Sequence, residues 1–199
     1  MTEELTQKTD GIVTELAALQ TQFGDAIIEV SQGLDCPLVV VQAANIVEVC
    51  HVLKSQFGFE EMMDLCGVDM SEYPDYPQDA PRFEVVYHLL SIQHNKRVRV
   101  KARVEDREMI DSVTEVWATA NWYEREAFDM YGIVFNHHPD LRRILTDYGF
   151  EGFPLRKDFP LVGHAEMFFD DAQWRCVYKP NKLENRVLIQ KTWPGADRG

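Results

Sequence analysis

The stretch that most constrains this chain is residues 122–161, which open on a helical pattern and then lose all periodicity. Asn121 stands as an N-cap with Glu124 in the capping-box position, and Gly132 supplies a left-handed stop. Between them Tyr123, Ala127, Met130 and Tyr131 fall at helical spacing, as do Phe128 and Tyr131, so aromatic rings cover much of the helix. Beyond Gly132 come His138-Pro139-Asp140, Arg142-Arg143, Asp147-Tyr148-Gly149, Gly152-Phe153-Pro154, Arg156-Lys157-Asp158 and Pro160. These are charges and turn residues without strand or helix pattern. A packed helix that runs straight into such a segment belongs to a chain that needs another surface to lie on.

Upstream, Thr9 to Phe23 reads as an amphipathic helix, with Ile12, Leu16, Leu19 and Phe23 on one face and Gly24 as its C-cap. Strands are expected at Ala26–Ser31 and Pro37–Gln42, joined as a loose hairpin. Asn45 opens a second helix with Ile46, Val49, Cys50, Leu53 and Phe57 as its buried stripe, ended by Gly58. Met62–Asp69 is a strand with Gly67 as a bend or bulge. A polar loop with Pro74, Pro77 and Pro81 leads to a strand at Phe83–Ile92, and the turn His94-Asn95-Lys96 leads to a strictly alternating arm. Val98, Val100, Ala102 and Val104 line one face of that arm, and Arg97, Arg99, Lys101 and Arg103 the other. The basic row is either a docking stripe for an acidic partner or the solvent side of a sheet, where charge also discourages edge-to-edge pairing. Asp106–Thr119 reads as a helix on the spacing of Met109, Ile110, Val113, Val116 and Trp117. After His137 only weak strands at Gln173–Tyr178 and Val187–Gln190 stand out.

This order predicts an α+β fold: a two-layer domain over residues 1–150 with a mixed or antiparallel sheet covered by helices, then an extended, partner-wrapping C-terminal tail over 151–199. The 199 residues are 45% hydrophobic and 27% charged, enough apolar material for one core. A formal net charge of −13 argues against nucleic acid, whose affinity rests on neutralising phosphates. There is no apolar run long enough to span a bilayer, and the acidic N-terminus resembles neither a signal nor a transit peptide. Cys36, Cys50, Cys66 and Cys176 are scattered without ligand spacing, so they read as small hydrophobes and an iron–sulfur site is disfavoured. A phosphate loop, a nucleophile elbow and a zinc-protease helix are all missing. The adjacent His137-His138 makes a poor metal pair. Glu124, Glu126 and Asp129 are expected to anchor Arg142, Arg143 or the Arg156-Lys157 pair from the following segment, with Arg125 and Asp129 paired across one turn.

These residues carry a resemblance. Glu124-Arg125-Glu126, Asp129-Met130-Tyr131-Gly132, His138-Pro139-Asp140-Leu141-Arg142-Arg143-Ile144-Leu145, Asp147-Tyr148-Gly149-Phe150-Glu151-Gly152 and Pro154-Leu155-Arg156-Lys157-Asp158-Phe159-Pro160-Leu161 closely resemble the signature of the 30 kDa subunit family of proton-translocating NADH:quinone oxidoreductase, respiratory complex I. His137 stands where glycine is common in that pattern, and Phe153 where histidine is common. The resemblance implies a core component of the hydrophilic arm, with no catalytic, cofactor or metal residues of its own. FMN and iron–sulfur clusters are then expected on partner subunits. The chief partner would be the quinone-site subunit, with the neighbouring iron–sulfur subunits. The location would be peripheral, on the cytoplasmic side of a bacterial inner membrane. Two other readings stand beside it: the equivalent component of a membrane-bound hydrogenase relative, or a free-standing acid–base enzyme using Glu124, Glu126 and His138.

Overall fold

The computed structural model describes residues 16–183 apart from Asp75 and Gln78. The start of the first predicted helix and the weak strand at Val187–Gln190 lie outside the described residues. Contacts divide the chain into two compact units, Met1–Lys157 and Asp158–Gly199.

The first unit is built on alternation. In β1 (Ile27–Gln32), β2 (Pro37–Gln42), β3 (Glu61–Asp69), β4 (Phe83–Ser91) and β5 (Lys96–Val104), every second side chain enters one core. Their order is β1-β2-β5-β4-β3. β2 runs parallel to β5 while the other pairs are antiparallel, so the sheet is mixed. Both edge strands carry a bulge, at Ile27/Glu29 and at Met62/Asp64, which blunts their free edges. The first helix, α1, is described over 16–23 and ends at Gly24, φ +55. The others are α2 (Ile46–Ser55) and α3 (Ala120–Tyr131). Leu16 and Leu19, then Ile46, Val49, Cys50 and Leu53, then Ala120 and Ala127 all enter the core shared with Val98, Val100, Ala102 and Val104. The helices therefore cover one face of the sheet, as the alternation in β5 requires.

The opposite face carries the basic row, and internal acids take up most of it. Glu84, itself buried, accepts from Lys101 Nζ at 2.8 Å and Arg103 Nε at 3.3 Å. Arg99 reaches Asp35 at 2.9 Å and donates to His88 Nε2. Arg97 stays exposed.

The predicted helix at Asp106–Thr119 does not form. Arg107 is left-handed (φ +71), and Met109–Asp111 becomes a short strand, β6, parallel to β7 (Val134–Asn136). Ile110, Val113, Val116 and Trp117 are buried, as their apolar character requires. Their spacing belongs to an irregular segment threading the core, whose Val113 N–H bonds to Glu124 Oε1. Gly67 is neither bend nor bulge. It pairs regularly with Val85, and a Cβ there would sit 2.7 Å from the Tyr131 ring, so glycine is what lets α3 approach β3. Asn121 is not the cap of α3. Thr119 holds that position, and no side chain caps the helix, so Asn121→Ala should escape the loss of about 1 kcal/mol that a removed cap brings. Asn45 does hold the cap position of α2, again without a side-chain bond.

In the second unit the weak strand expected at Gln173–Tyr178 forms as β9 (Arg175–Pro180), and it pairs with an unexpected strand, β8 (Ala165–Asp170), as a hairpin. Its turn is tied by Asp170, which accepts the N–H groups of Ala172 and Gln173. The register puts Met167 opposite Tyr178 and Phe169 opposite Cys176. Trp174 lies edge-on to Phe169 at 5.3 Å. One face of the hairpin is thus apolar, while the other carries the Glu166–Lys179 pair.

Candidate functional site

The candidate site is the charged segment that follows α3 and β7. It lies across the domain as a strap, and two buried carboxylates hold it there. The first is Asp129, near the end of α3. Its Oδ2 accepts the backbone N–H groups of Ile144, Leu145 and Thr146 at 2.9, 2.7 and 2.8 Å. Its Oδ1 accepts from Arg143 Nη1 at 2.7 Å and from the Thr146 hydroxyl. Burial alone would raise this carboxyl. The Thr146 hydroxyl, the Thr146 and Ile144 amides and Arg143 outweigh it and hold the group well below the usual carboxylate range.

The second is Asp69, at the end of β3. It takes Arg82 through Nε and Nη2 at 3.1 and 2.7 Å, the Ser71 N–H at 3.1 Å and the Lys157 N–H at 2.9 Å. Here too burial opposes ionisation, and the Arg82 bonds with the Lys157 and Ser71 amides overcome it, leaving the carboxyl far down. Between these two anchors the strap is stitched to the helix end. Leu155 N–H bonds to Met130 O at 3.1 Å. Arg156 Nε donates to Tyr131 O at 2.5 Å, and its Nη2 meets Asp106 at 3.1 Å. The Arg156 guanidinium lies 5.0 Å from the Phe83 ring and 4.6 Å from the Phe153 ring. Residues 151–157 thus bond within the first unit, whose contact boundary falls after Lys157.

Gly132 ends α3 in the left-handed region, φ +75, and Phe153 fills the space over it, since a Cβ would meet that ring at 2.6 Å. Phe153 also faces Arg143, 5.3 Å away. Where an imidazole is common in the resembled pattern, this chain has an apolar platform between two arginines. His137 has φ +61, so the turn keeps the conformation that glycine adopts freely. A left-handed non-glycine residue costs about 1–2 kcal/mol, part of which glycine returns through unfolded-state entropy. His137→Gly should therefore raise stability by roughly 0.5–1 kcal/mol. A lower denaturation midpoint would mean that the His137 side chain contributes more than its backbone costs.

The structure gathers some of the expected residues and separates others. Asp129 does anchor Arg143, but it makes no pair with Arg125. The Arg125 guanidinium instead donates to the carbonyls of Arg142 and Arg143 at 3.1 and 3.3 Å and lies 5.4 Å from the Trp122 ring. Glu126 is exposed, and Glu124 is wholly buried, holding the Val113 N–H and no arginine. Arg156 pairs instead with Asp106, and Lys157 gives its backbone N–H to Asp69. Arg142 makes an exposed pair with Asp140, worth little in water. Pro139 follows His138 into this turn, and Asp147-Tyr148-Gly149 is an exposed turn with Tyr148 81% accessible. Leu145 is 64% accessible on the same strap. Asp158, Phe159 and Pro160 belong to the second unit, where Phe159 meets His164 edge-on at 5.4 Å and Pro160 accepts from Gly163.

Asp69, Arg82, Asp106 and Thr146 were missed by sequence reasoning. Asp69 and Lys157 are 88 residues apart, and no local pattern announces such a pair. Glu124 and His138 do meet, Oε2 to Nε2 at 3.9 Å, but both side chains are wholly buried and no substrate could reach them. The site is a fastening: most of its charges are consumed in holding backbone in place, while Leu145, Tyr148, Leu155 and Trp122 are left facing outward.

The first unit is thus an α+β domain, a mixed sheet covered on one side by helices with a charged strap locked over the last of them. The family model for the respiratory-chain NADH dehydrogenase 30 kDa subunit matches residues 39–165, and the chain belongs to that family. Curated relatives named as the C component of NADH-quinone oxidoreductase include one from Laribacter hongkongensis, 54% identical over 88% of this chain and 91% of the relative. Another, from Coxiella burnetii, is 45% identical over 89% and 91%. Among solved structures, a trypsin-resistant fragment of Nqo5 aligns with a TM-score of 0.55 at 32% identity, covering 63% of this chain and 97% of the fragment. A chain of an archaeal membrane-bound sulfane sulfur reductase complex aligns with a TM-score of 0.62 at 24% identity, covering 78% of this chain and 87% of that chain, a likeness of fold alone. Among the described residues no helix is long and apolar enough to cross a membrane.

Proposed function

We propose that this chain is a core, cofactor-free structural component of the hydrophilic arm of NADH:quinone oxidoreductase. It docks on the quinone-site subunit and the neighbouring iron–sulfur subunits, which carry the clusters, with FMN elsewhere in the arm. It sits peripherally on the cytoplasmic side of a bacterial inner membrane and serves electron transfer to quinone, coupled to proton translocation, by assembling the arm. The observation that carries this reading is the fate of the signature charges. Asp129, Arg143 and Arg156 spend their hydrogen bonds on the chain's own backbone and side chains, while apolar side chains of the strap point outward. That suits a surface made to be covered.

The two adjacent arginines test it. Arg143→Ala removes the cation from buried Asp129, which should cost about 3–5 kcal/mol. Quinone reductase activity should then fall in proportion to the amount of assembled complex. Arg142→Ala, losing an exposed pair, should leave the denaturation midpoint of the domain close to that of the wild type. A fully assembled enzyme that has lost turnover in either variant would assign the arginine a catalytic role instead.

A further inference from the structure

The polar cluster that the strap does not use lies under it, in the core. Glu124 Oε1 accepts the Val113 N–H at 2.8 Å, but Glu124 Oε2 and the Tyr87 hydroxyl, both wholly buried, have no hydrogen-bond partner. Buried polar atoms are rarely left this way, and each such exception asks for an explanation. Glu124 faces Cys50 from α2, Tyr87 from β4, Ser112 and Val113 from the segment after β6, and His138 from the turn after β7. Arg125 and Asp140 act on His138, not on Glu124. Among the described residues no arginine or lysine is paired with this carboxyl.

The His138 ring is fixed by its neighbours. Nδ1 accepts the Asp140 N–H at 3.0 Å and so carries no proton. Nε2 is then the protonated nitrogen, and it donates to the Asn121 carbonyl at 3.2 Å, with Glu124 Oε2 only 3.9 Å away. One N–H thus has two acceptors within a small ring rotation, and one of them is a carboxyl whose strength as an acceptor depends on its charge.

We propose that Glu124 and His138 form a buried proton switch: when Glu124 gives up its proton, the His138 Nε2–H moves its hydrogen bond from the Asn121 carbonyl to Glu124 Oε2 and draws the turn at 137–140 against α3. The proton leaves to solvent from Glu124, the imidazole stays neutral throughout, and the Asp140 N–H stays on Nδ1. Burial pushes Glu124 up to about 7, with Ser112 and the Val113 amide pulling partly back, and burial keeps His138 below its ordinary value. The switch therefore works near neutral pH. Glu124 is protonated more readily in the folded chain than in the unfolded one. The stability linked to that proton is full below 4.5 and is lost as pH rises to about 7.

The test is a pH titration of the full-length chain, labelled for NMR, from roughly pH 5 to roughly pH 9. Glu124 Cδ should titrate near 7. The His138 Nε2 shift should follow the same midpoint with Nδ1 unprotonated, and Glu124→Gln should abolish that transition. Over the same range the unfolding constant of the wild type should rise by up to about tenfold per pH unit below 7 and then level, while Glu124→Gln stays flat. Three results would overturn the proposal: Glu124 titrating in the ordinary carboxylate range, His138 Nε2 unmoved through the Glu124 transition, or Nδ1 gaining a proton there. Should Glu124→Gln fail to fold, coincidence of the two wild-type midpoints still decides.

Discussion

Replacing Asp129 by alanine should cost the domain about 3–5 kcal/mol and release the strap. The variant leaves the amides of Ile144, Leu145 and Thr146 without their acceptor and Arg143 without its counter-charge. A donor left without a partner away from water carries a desolvation penalty of about 1–3 kcal/mol, and relaxation of this part-buried, irregular segment recovers some of the total. Asp129→Asn keeps the shape but removes the charge, so it should fall between alanine and the wild type. Chemical denaturation measures the loss, and proteolysis within residues 137–157 reads the release. A change below about 1 kcal/mol would mean that the strap is held mainly by Arg156 and Asp69.

Asp129 also sets the acid behaviour of the fold. Its carboxyl, like that of Asp69, is held below the unfolded value of 3.8. Both contribute stability that is full above that value and is lost as pH falls through and beneath it. Asp129→Ala should flatten the acid limb. Glu124 acts in the opposite direction and at higher pH, so stability should be greatest between the two ranges.

What the sequence made legible follows the range of the interaction. Alternation fixed β5, because a one-residue slip would carry Val98, Val100 and Ala102 out of the core. The position of α3 was readable from its apolar spacing and from Gly132. The segment around Val113 was not, because apolar spacing alone cannot tell a helix from an irregular strand-and-turn path whose amide is satisfied by a glutamate on another element. Capping was misjudged for a related reason. Asn121 lies inside the first turn of α3, where its carbonyl takes a bond from His138 instead. The composition of the strap showed that it needs a surface. That its surface is the chain's own helix end, reached through Asp129 and Asp69, depends on pairings across the fold that no window of sequence contains.

Removing the second unit, residues 158–199, should leave the first domain folded while the chain can no longer join its complex. The cut spares the anchors: Leu155 to Met130, Arg156 to Tyr131 and Lys157 to Asp69 all remain. The second unit has less to stand on. Its hairpin has two strands, and such a pair is marginal in water unless one face is covered. Yet Met167, Phe169, Trp174 and Tyr178 are all exposed, with Trp174 79% accessible. Ordering a backbone costs on the order of 1–2 kcal/mol per residue, which so little burial cannot offset. A partner that covers the apolar face can offset it, and aromatic anchors of this kind carry most of the energy in such interfaces. Under the proposed function that partner is chiefly the quinone-site subunit. The hairpin should therefore exchange its amides quickly and be cut readily in the isolated chain, and be protected in the complex. Truncation should leave the domain's stability within about 1 kcal/mol of the full chain and abolish co-purification with the quinone-site subunit. Equal protection of the hairpin with and without partners would make it a self-sufficient element, and retained co-purification after truncation would move the docking surface to the strap.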